Sequence, residues 1–114
     1  MFHHINWLNE ASIIVGDHPP ITANSQFRAT FGVTPAICDI IWESIVHTVY
    51  SVMRIHNFQP RHLLWGLLFL KQYGTERIMA QTCHASERTY RKWTKVVIVL
   101  IAGLMNQVVG SMII

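Results

Sequence analysis

The chain has 114 residues and a mass of 13.1 kDa, enough for one compact domain with a modest core and too little for two domains of ordinary size. Hydrophobic residues make up 51% and charged residues 13%, about half the usual charged share, so burial is extensive or a partner covers part of the surface. Cys38 and Cys83, with no paired spacing, argue against a disulfide framework or a thiolate metal site and fit a reducing, intracellular setting.

The net charge of +3 is unevenly spread. Residues 1–60 set Arg28 and Arg54 against Glu10, Asp17, Asp39 and Glu43, a balance of −2. Residues 61–114 set Arg61, Lys71, Arg77, Arg88, Arg91, Lys92 and Lys95 against Glu76 and Glu87, a balance of +5. A localised basic region speaks of partners such as nucleic acid or an anionic membrane rather than of fold.

In chain order, the start "MFHHINWLNEAS" lacks the basic region, apolar run and cleavage site of a secretory signal. Residues 1–15 carry a weak helical pattern. "GDHPPITANSQ", residues 16–26, reads as a linker punctuated by Gly, two prolines and Asn/Ser, so the folded part is expected to begin near Phe27. "FGVTPAICDIIWESIVHTVYSVM" offers Thr34 as N-cap and Pro35 at the first helical position. Ile37, Ile41, Ile45, Val49 and Val52 recur at spacings of three and four, the stripe of a long amphipathic helix. Pro60 opens "PRHLLWGLLFLKQYG", apolar almost all round and closed by Gly74, which predicts a helix at the centre of the core. Thr75 then caps "ERIMAQTC", and after "HA" Ser86 caps "ERTYRKWTKVVIVLIAGL". The fold class expected is all-α, a small helical bundle, with a helix-turn-helix in its second half.

The packing logic of that motif can be read residue by residue. Met79, Ala80 and Cys83 face the core from the first helix, Ala85 plugs the turn, and Tyr90, Trp93 and Val97 continue the core side of the second. Arg88, Arg91, Lys92 and Lys95 share the opposite face. Ser86, Glu87 and Arg88 are expected nearest base edges, with Arg91, Lys92 and Lys95 along the groove or on phosphates and Thr75 as a further phosphate contact. Arg88 or Arg91 suits bidentate guanine readout, and Glu87 suits acceptance from cytosine. Taken alone, basic residues on one helix face are more often a solvated surface; the turn before them tilts the reading towards DNA. His84 stands where such turns usually carry Gly, although His tolerates the left-handed region better than most residues.

"FRATFGVTPAICDIIWESI" followed by "PRHLLWGLLFLKQYGTERIMAQTCHASERTYRKW" resembles the N-terminal helical region of DDE-superfamily, Harbinger-like and insertion-sequence-like transposase-derived endonucleases. There an "FG-x-[ST]-P" helix start, an "HLLW-x-LLFLK-x-Y-x-TE" helix and an "[SE]-x-[RK]-T-[FY]-R-KW" recognition helix recur in this order. The similarity covers residues 27–104, and it implies a DNA-binding region that recognises transposon ends. In such families a catalytic domain follows, whose three carboxylates hold two divalent metals. The acidic residues Glu10, Asp17, Asp39, Glu43, Glu76 and Glu87 do not form that set. The expectation is a DNA-binding portion, residues 27–104, truncated before the catalytic domain, with residues 105–114 leading towards it. It requires no cofactor, performs no catalysis, acts on duplex DNA inside the cell (in the nucleus of a eukaryote), and can pair with a full-length transposase or with itself through apolar helices.

Other readings compete. Seven histidines invite a metal site, yet none forms a His-x-x-x-His pattern with a third ligand nearby. Cys83 beside His84 suggests a nucleophile pair, but neighbours at a helix end point apart and Cys83 fills a core slot. Tyr50, Trp42, Trp65, Phe69 and the methionines read as core. The apolar run 96–114 would span about 28 Å at about 1.5 Å per residue, nearly a bilayer core, with "RTYRKWTK" before it in the manner of a tail anchor. Asn106, Gln107 and two glycines weigh against that membrane reading. A third reading is a protein-interaction module acting through the long first helix or the tail.

Overall fold

The structure, a computed structural model, describes residues 5–15, 21–72 and 76–113, with side chains described up to 104 apart from those of 15 and 76. It is all-α, with no strand among the described residues. Helices α1 (Trp7–Val15), α2 (Asn24–Phe31), α3 (Pro35–His47), α4 (Pro60–Gln72), α5 (Glu76–Thr82) and α6 (Glu87–Ile113) follow in order, and one turn of π-helix, Thr48–Val52, extends α3.

The core reaches further towards the start of the chain than Phe27. Trp7, Ala11 and Ile14, spaced four and three apart on α1, are all buried. Trp7 Nε1 also donates to Asp39 Oδ1 on α3 at 3.1 Å. The Ser12 hydroxyl accepts from the Ile21 N–H at 3.0 Å, so the segment read as a linker returns to α1 and buries Ile21. Helix α2 itself begins inside that segment. Gln26 Oε1 accepts from the Thr22 and Ala23 N–H groups at its start, and Gly32, at φ 85°, ends it in the left-handed cap conformation.

Helix α3 starts where Thr34 and Pro35 predicted, with Thr34 Oγ1 accepting from the Ile37 N–H. Its buried face is shifted from the expected stripe. Cys38, Ile45 and Val49 are buried and Ile41 and Trp42 pack against them, whereas Ile37 is 42% and Val52 71% exposed. At the start, successive spacings of four drift around a helix of 3.6 residues per turn, which leaves Ile37 beside the buried face rather than on it. At the end, the π turn, closed by the Met53 N–H to the Thr48 carbonyl at 2.9 Å, winds more slowly and carries Val52 out to solvent. Tyr50 and Met53 are exposed as well, against their reading as core. The Tyr50 hydroxyl instead donates to the Phe58 carbonyl at 2.6 Å and holds the loop before α4.

Helix α4 is the buried centre, as its all-round apolar pattern predicted: His62 through Leu68 are buried without a break. Its most extensive partner is α6. The two approach so closely at Gly66 that a Cβ there would lie 2.7 Å from Val97 Cβ and closer still to Val97 Cγ1. Gly74, the expected cap of α4, and Thr75, the expected cap of α5, lie outside the described residues.

Candidate nucleic-acid interface

The turn between α5 and α6 is a Schellman motif. The Ala85 N–H donates to the Ala80 carbonyl at 2.9 Å and the His84 N–H to the Gln81 carbonyl at 3.1 Å. This geometry requires a left-handed residue at the position after the cap, and His84 supplies it with φ 58°. Ala85 packs against the core as the apolar partner that accompanies such turns. Ser86 then caps α6: its Oγ accepts from the Thr89 N–H at 3.2 Å and donates to Thr89 Oγ1 at 3.0 Å. Glu87 in the first turn sets a negative charge at the positive end of the helix dipole.

Two faces of α6 separate cleanly. Tyr90, Trp93 and Val97 are buried with Met79 and Ala80 of α5 and with Cys83 just after it, as the sequence pattern required, and Leu100 continues the buried side. Ser86, Glu87, Arg88, Arg91, Lys92 and Lys95 are all exposed, and the four basic residues among them share one face. Thr75, the remaining expected contact, lies outside the described residues. Lys92 Nζ sits 4.7 Å over the Trp93 ring, a cation–π contact that steadies one charge of the face against the helix.

Behind this face an aromatic stack ties α6 to the first turn of α4. His62 lies on Trp93 with ring centroids 4.1 Å apart and planes 6° apart, and Trp93 contacts Phe58, which stacks on Trp42. His62 Nδ1 accepts from the Gln59 N–H at 3.0 Å, which makes it a neutral capping acceptor. Burial, with the nearby charges of Arg61 and Lys92, lowers its pKa to about 4. The imidazole therefore belongs to the core rather than to the positive surface at neutral pH.

Sequence reasoning missed two residues at this end of the molecule. Arg61, in the first turn of α4, and Thr89, in the first turn of α6, line a common cavity beside the turn. Neither stands out by spacing, because tertiary packing alone brings α4 to the start of α6.

Burial raises the thiols of Cys38 and Cys83 to about 12, in keeping with core cysteines rather than nucleophiles. Among the described residues no cluster of His, Cys, Asp and Glu could hold a metal ion. No single helix among them is long and apolar enough to cross a membrane, although the bent pair formed by α2 with α3 and its π turn reaches that threshold by length and composition alone. The side chains of 105–114, over half of the apolar tail, lie outside the described part. No family model, no curated protein and no solved structure matches the chain.

Proposed function

We propose that this chain is a helix-turn-helix DNA-binding module of the transposase-like kind its sequence resembles. In this reading α6 enters the major groove of duplex DNA. The observation that carries it is the division of α6 into a buried Tyr90–Trp93–Val97 side and an exposed Arg88–Arg91–Lys92–Lys95 side, directly after a Schellman turn and a serine cap. Ser86, Glu87 and Arg88 lie at the end of the helix that such motifs direct at base edges, and Arg91, Lys92 and Lys95 follow along the backbone. The chain on this account positions DNA inside the cell and carries out no strand chemistry itself. Selection of bound duplexes from a random-sequence pool tests the reading. Enrichment of one short site supports sequence recognition, and its loss in Arg88→Ala locates that recognition on α6.

A second reading, a protein-interaction module, is favoured by the apolar residues left exposed on α3, Ile37 at 42% and Ile40 at 60%. Sedimentation tests it: a concentration-dependent oligomer that Ile40→Glu disperses would support association through that helix.

A further inference from the structure

The outward side of α3 and its π turn carries a pattern that packing within the chain does not use. Ala36, Ile40, Glu43, His47 and Tyr50 follow one another at spacings of four, three, four and three, the rhythm of the a and d positions of a coiled-coil seam, and all five are exposed. Ile40 is 60% and Tyr50 42% exposed, while Cys38, Ile45 and Val49 hold the buried side. Despite the π turn, Tyr50 stays in line with the others: Glu43, Val46, His47, Tyr50 and Ser51 line one open groove of about 510 Å³. The first four of these stand at i, i+3, i+4 and i+7, the arrangement that forms a hole for one knob of a facing helix.

The seam is polar at its middle and apolar to either side, and this selects both the partner and its direction. A parallel copy would set Glu43 against Glu43, two like charges in contact. An antiparallel copy sets Ile40 against Tyr50 and Glu43 against His47, each twice about a two-fold axis level with Ile45. His47 Nδ1 lies 3.5 Å from the Ser51 hydroxyl. With that hydroxyl as donor, the ring carries its proton on Nε2 and can donate it to a carboxylate on the facing copy.

We propose that α3 is a homodimer interface at which two copies of this chain pair antiparallel. Glu43 of each copy enters the groove of the other against His47, and Ile40 packs on Tyr50. This rests on the protein-interaction reading above and names the partner as a second copy. Arg88, Arg91, Lys92 and Lys95 lie on α6 and take no part in it, so DNA binding stands or falls separately.

Sedimentation equilibrium of the full chain between about 1 μM and about 1 mM tests the pairing, with a reversible monomer–dimer equilibrium expected. Glu43→Lys should weaken the dimer at least about tenfold by setting Lys against His47, and adding His47→Glu should restore most of that loss. Nitroxide labels on Ala36→Cys, with the buried Cys38 and Cys83 left in place, report the direction. The two labels of an antiparallel dimer should lie about 30 Å apart, from about 1.5 Å of rise per residue and axes about 8–10 Å apart. A wild type that stays monomeric overturns both this pairing and association through α3. An oligomer that Ile40→Glu disperses, but whose labels lie within about 20 Å or whose Glu43→Lys loss is not recovered by His47→Glu, overturns the antiparallel pairing and leaves the interaction reading standing.

Discussion

The imidazole of His62 lies flat on the indole of Trp93, with centroids 4.1 Å apart, and so joins the first turn of the central helix α4 to the core side of α6. Because the ring is buried and flanked by Arg61 and Lys92, it stays neutral down to about pH 4. The unfolded chain protonates the same residue near about 6.5. Above that value both states are neutral and His62 contributes no pH dependence. As pH falls from about 6.5 to about 4, the unfolded state gains a proton that the folded state refuses, so stability declines through that window. Allowing for solvent screening, the loss should be about 1–2 kcal/mol. Urea midpoints at pH 7 and pH 4.5 measure it, and His62→Phe should flatten the dependence even if it lowers stability at neutral pH by removing the acceptor for the Gln59 N–H.

Gly66 and Val97 set the distance between α4 and α6. Gly66→Ala adds a methyl group into space that Val97 occupies, and backbone on both sides must move to admit it. Such overpacking costs about 1–3 kcal/mol. Adding Val97→Ala to Gly66→Ala should recover part of that loss although Val97→Ala alone opens a cavity, a coupling that a double-mutant cycle by chemical denaturation would read directly. Additive losses would mean that the two helices do not meet at these residues.

His84 holds a left-handed backbone at φ 58° so that the Schellman turn can close. His84→Gly relieves the steric cost of that conformation and should raise stability by about 0.5–1 kcal/mol. His84→Val, β-branched at the same position, should lower it by more than that. A rise in melting temperature for the first and a fall for the second is the expected pair of results.

Much of the bundle is legible locally. Thr34 with Pro35, Ser86 as the cap before Glu87, and the 3.6-residue recurrence of Met79, Cys83, Tyr90, Trp93 and Val97 act within one or two turns, so their spacing alone indicates where helices start and which face is buried. What escaped depends on distant partners or irregular winding. Helix α1 has little pattern of its own and is secured by Trp7, Ala11 and Ile14 against the core and by the Trp7–Asp39 hydrogen bond 32 residues away. The π turn after His47 is invisible to a search at fixed period, and it carries Val52 out of the buried stripe. Arg61 reads as one more surface charge until α4 sets it beside the first turn of α6.

The central claim is that the exposed basic face of α6 grips duplex DNA. Fluorescence anisotropy on a mixed-sequence duplex at several salt concentrations, for the wild type and for Arg91→Ala with Lys92→Ala, tests it most directly. Four phosphate contacts predict a log–log salt slope near about −3.6 and nonspecific dissociation constants on the order of 10⁻⁴ to 10⁻⁶ M, with the double variant shallower by about two. A folded wild-type protein that fails to bind at low salt, or a variant whose slope matches the wild type, would contradict the account.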